Sequence, residues 1–212
     1  RKPEVYRRTP DWTPQATQPL VPDAPVTVLS AAQDAGRKIC DAYLLARGLA
    51  PQPLREDEQT ELLKTLLAQP RRRELEQASY TLLFGGLSLA ALTHLTRHRM
   101  QSLCPPQLLQ NIRYDRYVLP QSVRDKGMEA RYRSAFELAG QAAAQLRDRG
   151  ADESALCYLM LSGQTVPVLT TMNAGELYVF FRLRCCTRAQ WEIRDVACQA
   201  LAAPREVSPE LF

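Results

Sequence analysis

Proline sets the frame of this chain before any periodicity is considered. Pro3, Pro10, Pro14, Pro19, Pro22 and Pro25 fall among Arg, Thr and Gln in residues 1–25. Each fixes φ and removes an N–H donor, so neither a helix nor a central strand fits there. Residues 1–25 are therefore expected to be an extended arm or linker and residues 26–212 a folded domain. Later prolines act as stops: Pro51 and Pro70 close two helical stretches, and Pro105, Pro106 and Pro120 break up a third region. At 212 residues the chain is long enough to bury a core without disulfide staples. It opens on Arg1 rather than Met and on nothing resembling a signal peptide, so its start reads as an artificial boundary or as a cut inside a longer polypeptide.

Between the stops the chain alternates strand-like and helical patterns. Residues 26–29 read as a strand, and Ser30 can cap a helix to about 47, ended by Gly48 and Pro51. A second helix is expected over 56–69, with Leu62, Leu63, Leu66 and Leu67 on one face. Residues 78–84 suggest a strand, Gly85-Gly86 a strand-to-helix turn, and 87–96 an apolar helix. The stretch 103–125 has no clean period and is expected to be loop, with a short strand near Tyr117-Val118. Over 129–149, Tyr132, Ala135, Phe136, Ala139, Ala142, Ala143 and Leu146 recur at helical spacing, and Gly150 supplies the stop. Asp152 can cap a helix to about 161, 165–171 reads as a strand, and helices follow at 174–185 and 188–202.

Charge and cysteine usage narrow the function classes. Lys plus Arg number 27 against 23 Asp plus Glu, and a net charge of +4 suits a local anion pocket better than a surface that coats nucleic acid. The cysteines at 40, 104, 157, 185, 186 and 198 form no C-x-x-C pair and read as reduced thiols, which fits a cytoplasmic location. The apolar run 82–95 is broken by Gly85, Gly86, Ser88 and Thr93. It falls well short of the roughly 20 residues that span a bilayer, so no membrane partner is expected.

Two clusters concentrate chemistry. Arg97-His98-Arg99 follows the apolar helix, with Ser102 three residues on. Cations at a helix C-terminus are favoured by the dipole alone, but two guanidiniums and an imidazole delivered to one spot also suit a phosphate or an electron-rich ring. The second cluster runs from Asn173 to Arg194. Asn173 with Glu176, and Thr187 with Gln190, have capping-box spacing, and Arg184 would be a last-turn cation. Ile193, Val196, Ala197, Ala200 and Leu201 form an apolar stripe, so the last helix is packed whatever its polar end does.

Taken together, Arg97-His98-Arg99-x-x-Ser102 after an apolar helix, then Asn173-Ala174-x-x-Leu177, Arg184 and Ala189-Gln190-Trp191-Glu192-Ile193, resemble the flavin-dependent thymidylate synthases. The likeness extends more weakly over 26–201 and includes Leu75-Glu76 where that family has F-E-H. It implies an α+β fold, a central mixed sheet flanked by helices, and a homotetramer or a pairing with a second similar domain. It implies FAD as cofactor, methylenetetrahydrofolate and NADPH as co-substrates, and methylation of dUMP or a related nucleotide at the uracil C5. Carried over by residue, Arg97, His98, Arg99 and Asn173 would contact the flavin. Arg97, Ser102, Arg113, Arg184 and Gln190 would face the nucleotide, with Arg184 polarising the uracil as the catalytic residue.

This chain also departs from the family pattern. Where the family has a polar N/Q-E pair and S-x-R-Y after the serine, Cys104, Pro105, Gln107, Leu109 and Gln110 stand here, and Arg113-Tyr114 comes four residues late. Cys157 replaces an arginine, Met160-Leu161 the L-P turn, Gly175 an arginine, Val179 an asparagine and Gln77 a histidine. Each lost charge-assisted contact to a phosphate costs about 1.5–3 kcal/mol, so two could weaken nucleotide binding a hundredfold. Three readings stay open: an active synthase, a paralogue methylating another uracil nucleotide, and a non-catalytic domain that keeps the fold and its interface.

Other classes have thinner support. His94 and His98 have the four-residue spacing of paired metal ligands on a helix, but no third ligand follows at a recognisable distance. Arg7-Arg8 and Arg71 to Arg73 are basic runs without aromatic stacking residues, so a nucleic-acid partner is not expected. Cys185-Cys186 lacks the C-x-x-C form of a redox pair and suits a packed helix end.

Overall fold

The computed structural model describes residues 24–104, 106–108 and 113–212. The expected arm falls almost wholly outside them, as do Pro105, Leu109 and Gln110. Among the described residues, four strands form one sheet: β1 (Val26–Ala31), β2 (Ser79–Ser88), β3 (Ser102–Cys104) and β4 (Thr165–Asn173), in the order β1-β2-β4-β3. Every pairing among the described strands is antiparallel, in place of the expected mixed sheet. Strand direction is set by how distant segments cross over, which side-chain alternation does not encode.

Alternation does explain which face is core. Tyr80, Leu82 and Phe84 of β2 and Val166, Val168, Thr170 and Met172 of β4 all point to the same buried side. The other face is only half-covered and carries the cross-strand hydroxyl pair Thr81–Thr171, 2.9 Å apart.

Among the described residues, seven α-helices pack around the sheet: α1 (Ala35–Leu45), α2 (Glu56–Ala68), α3 (Leu89–Leu95), α4 (Gln121–Asp125), α5 (Glu129–Asp148), α6 (Ala174–Arg184) and α7 (Trp191–Val207). Short 3₁₀ turns span Arg73–Gln77 and Glu153–Leu159. The core gathers Ile39 of α1, Leu63 and Leu66 of α2, Leu177 and Phe180 of α6 and Ile193 and Ala197 of α7 on the buried sheet face. Each large apolar side chain buried there stabilises the fold by about 1.5–3 kcal/mol. Phe180 meets Phe84 edge-on, with ring centroids 6.3 Å apart, which fixes α6 on β2.

Several elements differ from expectation for identifiable reasons. Gly85-Gly86 is not a turn: β2 runs through it to Ser88, with a register shift against β4 between Phe84 and Leu87. Helix α3 consequently starts at Leu89, capped by the Ser88 hydroxyl, which accepts from Ala91 N. It stops at Leu95, so His98 is not on the same helix as His94. The β3 strand was missed because Ser102–Cys104 is too short for a period to show, and the segment that Asp152 caps is 3₁₀ rather than α. Helix α7 passes 202 and carries Pro204 in its last turn, where the missing N–H costs one ladder bond.

Candidate functional site

The chain's two chemical clusters meet at the C-terminal end of α3. Asn173 ends β4 and caps α6, its Oδ1 accepting from Glu176 N at 2.8 Å. Capping-box spacing would turn the Glu176 carboxylate back to the cap. Instead its Oε1 lies 3.0 Å from His98 Nδ1, in a pair whose side chains are 8% and 3% exposed. On the other edge of the ring, Arg184 Nε donates to His98 Nε2 at 3.0 Å, and Arg184 Nη2 donates to the His94 carbonyl at 2.9 Å. The imidazole stands edge-on to Phe180, centroids 5.1 Å apart. Glu176, His98 and Arg184 thus form one line, carboxylate to imidazole to guanidinium.

Burial and the Arg184 charge hold the His98 pKa below the usual imidazole range, against the opposing pull of Glu176. Arg184 is itself lowered by burial. Both ring nitrogens of His98 are taken within the chain. His98 was expected to touch a flavin; its side chain is 3% exposed, with one ring edge on Glu176 and the other on Arg184. The i,i+4 metal reading has the same difficulty, and no group of three His, Cys, Asp or Glu among the described residues is placed to hold a metal ion.

A groove of about 820 Å³ lies along α6, with Glu176 in its lining. Asn173, Gly175 and Val179 line it, with Arg72, Arg182 and Arg205 as cations and Tyr178, Phe181 and Phe212 as aromatic surfaces. Arg72 sits 5.2 Å from the Tyr178 ring centre, Phe212 stacks on the same ring at 5.4 Å, and the Tyr178 hydroxyl donates to the Leu211 carbonyl. A Cβ at Gly175 would approach Asn173 Oδ1 to 3.3 Å, so a larger residue there would press on the α6 cap.

The remaining expected site residues lie around this centre. Arg97 and Arg99 flank His98 and are exposed. Ser102 is exposed on edge strand β3, paired with Thr171. Gln190 caps α7, its Oε1 accepting from Ile193 N at 2.9 Å. Arg113 reaches Asp115 at 3.8 Å, and its carbonyl accepts from Gln164 Nε2, which ties it to the loop side of the sheet.

Two buried acids make contacts that spacing does not announce. Glu176 was read only as a cap partner. Glu192, 5% exposed, accepts from Ser88 N at 2.8 Å and from the Ser88 hydroxyl, fastening the first turn of α7 to the start of α3. Arg72, Tyr178, Arg205 and Phe212 on the groove wall carried no motif that would have marked them.

The family model described as thymidylate synthase complementing protein matches residues 23–210. The flavin-dependent thymidylate synthase of Geobacter sulfurreducens is 36% identical over 168 residues, covering 76% of this chain and 71% of that protein. The Sulfolobus acidocaldarius enzyme of the same name is 36% identical over 141 residues, 65% of this chain and 54% of its own length. The chain thus spans about half of that relative. A crystal structure of Helicobacter pylori thymidylate synthase X with FAD and dUMP superposes with a TM-score of 0.63 at 20% identity, covering 88% of this chain and 96% of that one. A second structure of the same protein gives 0.67 at 18% identity, covering 89% and 100%. From the length of the family match and the identity to these relatives, this chain belongs to the flavin-dependent thymidylate synthase family, as a divergent member.

Proposed function

We propose that this chain binds FAD and dUMP and acts as a flavin-dependent thymidylate synthase, taking its one-carbon unit from methylenetetrahydrofolate and its reducing equivalents from NADPH. The observation that carries this reading is the Arg184–His98 bond, which joins the two signature strings across 86 residues of sequence. The groove residues fit a flavin dinucleotide: three arginines for a diphosphate, aromatic faces for a ring system, and an asparagine amide on the wall. When bound, FAD supplies the hydride. The chain's own contribution is binding and electrostatics. Asn173, Arg72, Arg182 and Arg205 hold the dinucleotide, while exposed Arg97 and Arg99 offer charge to phosphate. Arg184 is a partly buried cation with its plane already fixed, suited to polarise a uracil carbonyl without reorganising. Ser102, Arg113 and Gln190 are assigned to the nucleotide side.

The test is dTMP formation from dUMP by the purified chain with all co-substrates. Arg184→Ala is expected to lower turnover by roughly 10²–10³-fold while the FAD dissociation constant changes only a few-fold. Equal losses in both would mean that Arg184 binds flavin rather than acting on substrate.

A second reading has its own observation. Gly175 and Val179 put no polar side-chain atom into the groove, and Val179 and Met100 on its wall are 38% and 69% exposed. Such an apolar rim suits a chain that works against a second copy or a second similar domain, or that keeps only the interface. Growth rescue of a thymidine-requiring strain separates the cases. Rescue by this chain alone supports the synthase, and rescue only with a co-expressed similar domain supports pairing. Activity on a different uracil nucleotide would mark a paralogue.

A further inference from the structure

We infer that the Glu176–His98 pair sets the direction of Arg184, with His98 as a positioning residue locked in one tautomer; its functional arm rests on the role proposed for Arg184. The argument starts from donors. An arginine Nε always carries hydrogen, so at 3.0 Å His98 Nε2 must be the acceptor and bear no proton. The ring proton is then on Nδ1, which faces the Glu176 carboxylate at 3.0 Å and donates to it. Only the neutral Nδ1–H form satisfies both bonds. A proton on Nε2 would set two N–H groups against each other in a site with 3% of the imidazole exposed.

The consequence for Arg184 is geometric. Its guanidinium is planar, and Nε and Nη2 are both anchored, to His98 and to the His94 carbonyl. Two anchored donors fix the plane and leave the Nη1 edge uncommitted among the described residues. Glu176 also lines the groove, so a charge bound there acts on the same line of groups. The charged groups around the imidazole are Glu176 and Arg184 from α6, with Arg97 and Arg99 beside it in the chain. Of these only Glu176 favours protonation.

The chain holds two histidines, so a His94→Gln variant leaves one imidazole to observe by long-range ¹H–¹⁵N correlation. The expected spectrum at pH 7 is the neutral Nδ1–H tautomer, with a distinct Arg184 Nε–H signal that His98→Phe abolishes. Arg184→Gln is expected to shift the His98 titration toward higher pH. In calorimetric titration with dUMP at saturating FAD, His98→Phe is expected to weaken binding by about tenfold or more. His98→Gln, which keeps an acceptor for Arg184, recovers part of that loss. A protonated or Nε2–H His98 at pH 7 overturns the inference, as does unchanged dUMP affinity in a folded His98→Phe protein. The Nδ1–H form in a chain that binds no dUMP supports the positioning and overturns the substrate reading instead.

Discussion

Replacing Glu192 with alanine should unlock α3 from α7. The carboxylate is 5% exposed; Oε1 takes the Ser88 N–H at 2.8 Å and Oε2 takes the Ser88 hydroxyl, which in turn caps Ala91 N at 3.0 Å. Alanine leaves the Ser88 N–H buried without a partner, about 1–3 kcal/mol, and removes a charge-assisted bond of comparable worth. Relief of the buried charge returns part of this, for a net loss of about 2–4 kcal/mol. Glutamine keeps one acceptor for Ser88 N but sets an NH₂ against the hydroxyl, so its cost should be nearer 1 kcal/mol. Urea titration should show a lower midpoint at unchanged m, and the melting temperature should fall by about 2–4 °C for each kcal/mol lost. An alanine variant within about 0.5 kcal/mol of wild type, as for an ordinary surface change, would refute the anchor.

Three further outcomes follow from the same structure. A Cβ on Gly163 would lie 2.5 Å from Tyr132 Oη and 3.1 Å from Phe136; Gly163→Ala should destabilise by about 1–3 kcal/mol, and less when combined with Tyr132→Phe, as a double-mutant cycle in urea would show. The His98 pKa is lowered in the folded chain, so below the ordinary 6.5 the unfolded chain binds more protons. This contribution to stability is complete above that pH and is lost as pH falls toward the folded pKa, a slope that denaturation of His98→Phe should lack. Bonds from the Arg188 backbone and side chain lower the Cys186 thiol, while burial pushes Cys185 and Cys40 up to about 11; peptide mapping after brief alkylation at neutral pH should find Cys186 modified ahead of both.

Elements whose period is long enough to repeat were readable in advance. Helix α5 ends within a residue of expectation because Gly150 adopts φ 76° just beyond it, and α6 starts where Asn173 caps it. The β2–α3 junction was misplaced because Gly85-Gly86 satisfies a turn rule as well as a bulged strand, and only pairing with β4 decides between them. The site was half legible. The motif strings marked Asn173, Arg184 and the 97–99 triplet, but a linear pattern cannot say that His98 turns inward while its neighbours face solvent. Nor could it show that Glu176 passes over its own cap to reach that imidazole, a contact between residues 78 positions apart. Groove residues such as Arg72 and Arg205 come together only through folding.

The central claim is that two distant strings of polar residues meet beside a groove able to hold a flavin dinucleotide. Titrating the purified chain into FAD and following flavin fluorescence tests it most directly. Saturable quenching, weakened when Asn173 is replaced by alanine, is the predicted result; fluorescence that stays at the free-flavin level throughout, in a folded protein, would contradict it.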